Sequence, residues 1–349
     1  MQFSLNKKKG RNAALWLTLF SVMTLFTLVH PAVSRADVVL KIATIAPDGS
    51  SWMNALKKAD RIIRKRTNDR VKMQFYAGGI LGDEVITLKK IRLGQIDGAL
   101  FTSDGLSNIY TDLRVTEVPF LFRGYKAVDY VMKNMKGYFE EGFEKQDFTV
   151  LGWSEVGFVY LMGTKPLARI DDIRGLKVWL LSDSDIARSL FRELGFSTVS
   201  LKITDVLVGL QTGLVDVVYN SPLGAIALQW FTKIKYLTKL EMAYAAGGLV
   251  VKTKKFDRIS PEDRATVKQV SEMCMDELKA KTRSDNEEAL KIMANEGVQI
   301  IIPEPKDVAR FREIANRAVE TVDKRLISQD ILDRVRALLK KFPRESDVE

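Results

Sequence analysis

The chain has 349 residues but one histidine and one cysteine. The histidine, His30, lies near the amino terminus at the end of an apolar run. If that run is removed as a leader, no histidine is left. Ser–His and Cys–His nucleophile pairs, histidine general bases and histidine metal ligands are then all excluded. One cysteine, Cys274, cannot close an intramolecular disulfide, so an exported form relies on its core. Cys274 falls at helical spacing among Val270, Met273 and Leu278 and reads as a small buried apolar residue. No Gly-x-Ser-x-Gly nucleophile turn is present, and Gly78-Gly79-Ile80-Leu81-Gly82 lacks the Gly-Lys-Ser/Thr that completes a phosphate loop. Catalysis would have to rest on carboxylates or lysines alone, and an enzyme is the weakest of the available readings. No cofactor or metal site is expected.

What is present begins with a leader. Lys7, Lys8, Lys9 and Arg11 precede the apolar run from Ala13 to Val29, and Ser34-Arg35-Ala36 supplies small residues for a peptidase. This is the pattern of a cleavable secretory signal, residues 1–36, and a periplasmic location follows from it. An uncleaved anchor is the alternative. The leader carries five of the cations behind the formal charge of +10 and no acids. The remainder is mildly basic without the concentrated stripe of a nucleic-acid binder. It is also long enough for two domains.

Strands and helices alternate, which predicts an α/β architecture with largely parallel sheets. The spacing predicts strands over residues 38–43, 71–76, 96–101, 148–153, 158–162, 247–251 and 298–302. Helices are predicted from Ser50 or Ser51, from Asp83 to Leu93, and over 126–146 with a break near Gly137 and Gly142. A long one starts at Ser260-Pro261-Glu262 and runs to about Asn295, far beyond an average helix. A last helix over 306–327 and a charged tail complete the chain.

One internal echo points to a ligand site. Leu88, Ile91, Gly94 and Asp97 precede a strand ending in Phe101-Thr102-Ser103. Leu207, Leu210, Gly213 and Asp216 precede, at the same spacings, one ending in Tyr219-Asn220-Ser221. In each, a helix stops at glycine, an aspartate turns the chain, and a strand delivers polar groups at its carboxyl end, where α/β sheets bind ligands. Two similar lobes with facing tips are expected.

The motifs LKIATIAPDGSSW, Leu81-Gly82-Asp83-Glu84, Gly94-Gln95-Ile96-Asp97-Gly98 and Glu117-Val118-Pro119-Phe120-Leu121-Phe122 follow one another in order. Ile173-Arg174-Gly175-Leu176-Lys177-Val178, Leu210-Gln211-Thr212-Gly213-Leu214-Val215-Asp216 and Ser260-Pro261-Glu262 continue the series. In that order the chain resembles the periplasmic solute-binding proteins of TRAP transporters, the DctP-like type, over nearly all of residues 38–325. The resemblance implies a two-lobed periplasmic-binding-protein-like fold with hinge strands and a long lobe-spanning helix. Residues 37–156 with about 247–286 would form the first lobe, and 157–246 with about 287–349 the second. It also implies a monomer that traps a small ligand and delivers it to membrane permease subunits.

The departures from the family pattern concern the ligand. The resemblance places Trp179 where members for carboxylate substrates usually carry an arginine, and Val159 where some carry a second. Indole cannot imitate a bidentate guanidinium fork. Asn220 keeps a ligand-bonding role; Thr102 is a polar contact, with Phe101, Ile203 and Tyr219 as further wall positions. Strand alternation puts Lys177, Trp179 and Leu181 on one face, which by itself suits a core as well as a cleft; the resemblance favours the cleft. A neutral, largely apolar ligand is therefore expected. The alternatives are an organic carboxylate held through a bound cation, with Glu84, Glu155 or Asp216 as ligands, and a periplasmic carrier without a permease.

Overall fold

Capping residues and apolar spacing fix where each element begins. The computed structural model describes residues 37–181 and 184–342; the expected leader and cleavage site lie outside the described residues. The first half comprises β1 (Val38–Ala43), α1 (Ser51–Arg66), β2 (Val71–Tyr76), α2 (Glu84–Arg92), β3 (Gly98–Thr102), α3 (Ser103–Ser107) and α4 (Tyr125–Lys145). A long strand, β4 (Phe148–Gly163), leads to β5 (Lys177–Leu181), α5 (Asp185–Glu193), β6 (Ser197–Leu201), α6 (Val206–Gln211), β7 (Val217–Asn220) and α7 (Pro222–Ala227). A second long strand, β8 (Tyr236–Lys252), returns the chain to α8 (Thr253–Phe256) and α9 (Pro261–Asn295). β9 (Gln299–Ile301), α10 (Pro305–Thr321) and α11 (Gln329–Lys341) complete it.

Ser50, Asp83, Ser221 and Ser260 each accept a hydrogen bond from the backbone N–H three residues on, at 2.8–3.3 Å. Each thereby satisfies a donor that the helix itself leaves open. In α1 the apolar spacing buries Trp52, Met53, Leu56, Ala59 and Ile63 on one face.

The strands form one mixed sheet of nine, in the order β2-β1-β3-β8-β4-β7-β5-β6, with β9 beside β8. Both wings are parallel: β1 pairs with β2 and β3, and β5 with β6 and β7. The centre is antiparallel, because β4 and β8 run side by side from Phe148–Lys252 to Gly163–Tyr236 and belong to both wings. The expected α/β class with hinge strands is therefore present, but as one continuous sheet. The two strands expected over 148–153 and 158–162 are a single strand. Bulges between Val150 and Gly152, Glu155 and Gly157, and Val159 and Leu161 shift the register without ending the strand.

Strand alternation splits the core into packed clusters on opposite faces of the sheet. Leu40, Ile42 and Leu100 pack with α1 and α9, while Ala99 and Phe101 face α4 with Val131, Phe139 and Phe143. In the other wing Val178 and Leu180 pack with Leu161, Phe191 and Phe311, and Trp179 lies on the opposite face. α4 runs unbroken through Gly137 and Gly142, against the expected break. A side chain at Gly142 would strike the Tyr110 ring, so this glycine serves packing rather than termination. The last helix ends at Thr321, and part of the expected charged tail folds as α11. That helix packs on the cluster of α4 through Ile331, Leu332 and Val335, although residues 287–349 were expected to belong to the second lobe.

The internal echo is reproduced in detail. Asp97 N–H donates to Lys41 O (2.9 Å) and its Oδ2 accepts from Lys41 N–H (2.9 Å). Asp216 N–H donates to Lys177 O (2.8 Å) and its Oδ2 accepts from Lys177 N–H (2.9 Å). Gly94 (φ 74°) and Gly213 (φ 67°) end the preceding helices in the left-handed conformation. Each aspartate thus locks the start of a tip-bearing strand to the first strand of its unit.

α9 holds the centre. Arg283 binds Glu155 (2.7 and 2.9 Å) and Asp129 (2.7 Å at both oxygens), and Glu155 is fully buried. Arg283→Met leaves that carboxylate buried without its cation, and a loss of about 3 kcal/mol is expected. Urea denaturation measures it; a loss below about 1 kcal/mol would show that Glu155 is held by other groups.

Candidate functional site

The tips of β3 and β7 meet over the central ribbon. Between them lies a cavity of about 160 Å³, bordered by Thr102, Ser103, Asp104, Glu117 and Pro119 from the first half. Trp179, Leu181, Leu190, Phe191, Ile203, Tyr219 and Asn220 border it from the second, and Val156, Val159, Leu161 and Met242 to Ala245 from the hinge strands. Among the described residues its lining contains no Lys, Arg or His. The charged groups there are the carboxylates of Asp104 and Glu117.

Six of the eight expected site residues border this cavity: Thr102, Val159, Trp179, Ile203, Tyr219 and Asn220. Trp179 does so differently from expectation. It is 2% exposed, its Nε1–H donates to Leu201 O (3.0 Å), it stacks on Tyr219 (4.8 Å, 28°), and it meets Trp230 edge-on (5.2 Å, 78°). The indole belongs to the core of the second half and backs the cavity wall. Its one donor is satisfied by backbone and is not offered to a ligand. Tyr219 in turn meets Phe191 edge-on (5.5 Å, 73°), its hydroxyl oxygen accepts from Leu181 N–H (3.3 Å), and burial pushes its phenol pKa up.

Phe101 is a correction. It alternates to the opposite side of β3 from the cavity, is 1% exposed, and lies so close to Gly105 that a side chain there would strike its ring. Glu84 is a second. It does not border the cavity but stands behind Thr102, accepting from Thr102 N–H (2.7 Å), Thr102 Oγ1–H (2.7 Å) and Gly105 N–H (2.9 Å). It fixes the β3 tip and consumes the Thr102 hydroxyl proton, leaving that oxygen as an acceptor. Burial raises its pKa, against the pull of these hydrogen bonds. Asn220 is held through Oδ1, which accepts from Ser221 N–H (2.8 Å). Its side chain packs so tightly on Gly224 that an added Cβ would lie 2.4 Å from that oxygen.

The acids proposed as cation ligands do not converge. Glu155 is paired with Arg283 and accepts from Tyr244 Oη–H (2.9 Å), while Asp216 is bound to Lys177 N–H. Among the described residues there is no group of three or more His, Cys, Asp or Glu placed to hold a metal ion.

The polar β3 tip was legible in the sequence, but Glu117, which completes the most polar wall with Ser103 and Asp104, was not. The motif Glu117-Val118-Pro119 was legible, but nothing in it says that its glutamate faces a cavity. Ser103 Oγ–H donates to Glu117 Oε1 (2.8 Å). Burial raises the Glu117 pKa to about 7, with Ser103 and Arg114 opposing and Glu84 reinforcing the shift.

Two wings joined by long shared strands, with a cavity at facing strand tips, define a two-lobed ligand-binding protein. The family of bacterial extracellular solute-binding proteins, family 7 (DctP), matches residues 42–325, and the chain belongs to it. Relatives include the 2,3-diketo-L-gulonate-binding periplasmic protein of Escherichia coli, 23% identical over 71% of this chain and 76% of that protein. The C4-dicarboxylate-binding periplasmic protein of Rhodobacter capsulatus is 24% identical over 76% and 80%. Among solved structures, the sugar acid binding protein of Advenella mimigardefordensis in complex with galactonate superposes with a TM-score of 0.82. It is 20% identical, covering 88% of this chain and 99% of that one. A TRAP periplasmic solute-binding protein of Ralstonia eutropha with bound (S)-2-acetolactate gives 0.81 at 23% identity, covering 87% and 99%. The family is one of periplasmic solute-binding receptors rather than enzymes, and it implies a TRAP permease as partner. Among the described residues no helix is long and apolar enough to cross a membrane.

Two outcomes follow from this geometry. Trp179→Ala should cost about 3–5 kcal/mol of folding stability, as for other large core side chains; a change below about 1 kcal/mol in urea denaturation would place the ring outside the core. The raised Glu117 pKa means the folded state holds a proton that the unfolded state releases. Stability should therefore fall as pH rises from about 4.5 to about 7. Glu117→Gln should flatten that slope in denaturation midpoints taken across the window, and an unchanged slope would assign it elsewhere.

Proposed function

We propose that this protein is the receptor of a TRAP-type transporter for a neutral, largely apolar small ligand. The observation that carries the reading is the cavity lining. Its aromatic and aliphatic wall has no cation among the described residues, and its one ionisable end consists of the carboxyl groups of Asp104 and Glu117. A ligand carboxylate placed there loses its hydration beside acidic groups, which is costly without a compensating cation. A ligand with hydroxyl or N–H donors finds acceptors at Thr102 Oγ1 and Glu117. The positions where the family resemblance expects arginine, Trp179 and Val159, supply apolar surface.

The relatives with named ligands bind acids, so the substitution of apolar for cationic surface marks a change of ligand class. The cation-bridged alternative is not favoured, since Glu84, Glu155 and Asp216 each have other partners. In the transport cycle, closure about the bulges of β4 and β8 would bring the tips together on the ligand. The closed form gains what the ligand binds better in it than in the open form.

The test is native mass spectrometry and solvent extraction of gently purified protein, followed by thermal melts with the recovered compound. A neutral compound should be recovered and should raise the melting temperature with concentration, reaching about 2.7 kcal/mol of stabilisation at a hundredfold excess over Kd. Recovery of simple dicarboxylates or sugar acids alone, with melting shifts of that size, would overturn the reading.

A further inference from the structure

Beside the cavity at the strand tips lies a second, larger one of about 400 Å³. The two share Thr102, Val156, Ile203 and Asn220 in their linings, so these residues stand between an inner and an outer chamber. We infer that the ligand is elongated: a compact head occupies the inner chamber and an apolar chain passes these residues into the outer one. This rests on the reading of the inner cavity as a site for a neutral ligand.

The outer chamber has the character of a built site. Ile45, Trp52, Leu223, Ile226 and Leu228 give it apolar walls. Asp48 is the one charged residue in its lining among the described residues, and it is paired with Lys57 (2.5 Å). Both walls are anchored to α9. Ser51 Oγ–H donates to Asp285 Oδ2 (2.6 Å), which fixes the loop after β1, and Leu223 N–H donates to Asn286 Oδ1 (2.9 Å), which fixes α7. The loop is also tied to the turn after β2, through Gly78 N–H to Ala46 O (2.8 Å) and Gly79 N–H to Thr44 O (3.1 Å). Walls held in this way are formed before a ligand arrives. The sequence motif Ala46-Pro47-Asp48-Gly49-Ser50-Ser51-Trp52 thereby acquires a role as one wall of the chain-binding chamber.

The test uses the apolar fluorophore N-phenyl-1-naphthylamine, displaced from the whole protein by n-alkanols from butanol to dodecanol. Affinity should keep rising by about fourfold per methylene across the series, because the chain goes on gaining wall beyond the inner chamber. Leu223→Trp, which fills the outer chamber, should weaken dodecanol at least tenfold and butanol less than twofold. Ile226→Trp repeats the measurement from another wall position should the first variant fail to fold. An affinity that levels off after the short alcohols, or variants that weaken long and short alcohols alike, would overturn the elongated ligand while leaving the neutral-ligand reading intact. Failure of the fluorophore and of every alcohol to bind would overturn both.

Discussion

The half-buried guanidinium of Arg283 is the constraint on which the rest of the molecule depends. It reaches from α9 to Glu155, on the central strand, and to Asp129, on α4. One turn on, Asn286 donates to Val156 O (3.0 Å) and accepts from Leu223 N–H (2.9 Å), binding the same stretch of strand to α7. Between these contacts lies the bulge from Glu155 to Gly157, where Gly157 has φ 103° and a Cβ would collide with Asn286 and the Tyr125 hydroxyl. A buried ion pair adds little net stability when compared with an apolar substitute. Its effect here is geometric: it fixes where the ribbon bends, and so which residues of β4 look into the cleft. Val156 and Val159 do so, and Tyr244, which donates to Glu155, carries the constraint across to β8.

The two strand tips are delivered to that bend by the same device used twice. A left-handed glycine ends a helix, an aspartate exchanges two hydrogen bonds with a strand residue of its own unit, and the following strand emerges with its polar end at the cleft. The tips then differ in what they present. Thr102, backed by Glu84, is an acceptor beside carboxylates; Asn220, pinned by Ser221 and Gly224, is an amide beside aromatic rings. The repeat supplies the frame, and the differences between its copies give the cavity a polar end and an apolar end.

How much of this was legible follows from which forces are local. Caps and glycine stops act within a few residues, and Asp83, Ser260, Gly94 and Gly213 behave as the sequence suggests. The length of β4 was not legible, because the strands expected over 148–153 and 158–162 join into one only when β8 pairs alongside both, with bulges taking up the irregular register. Gly142 resembled a break until Tyr110 is seen packed on it. Trp179 is the most instructive case. Alternation places it on one sheet face, but whether that face is core or cleft depends on Trp230 and on the Leu201 carbonyl, which no local pattern connects to it. Phe101 failed for the same reason, since its ring meets Gly105 and α4 rather than the neighbouring tip. Glu117 was missed because its exposure to the cavity is set by Ser103 and the β3 tip, far from it in pattern although near in sequence.

The burial of Trp179 strengthens the case against a carboxylate ligand. An indole facing the cleft with a free N–H would offer one hydrogen bond to an anion. An indole whose N–H is taken by Leu201 O offers none. Val159 adds only hydrocarbon, and the nearest ionisable groups, Asp104 and Glu117, repel anions whenever they are charged. Under the neutral-ligand proposal, discrimination against acids would be built from what an acid would lose, its hydration, without any compensating partner, rather than from a better grip on the preferred ligand. On the proposed reading, such a wall would reject anions across a range of shapes. It leaves the choice among neutral ligands to the contours of the cavity and to the few acceptors at its polar end.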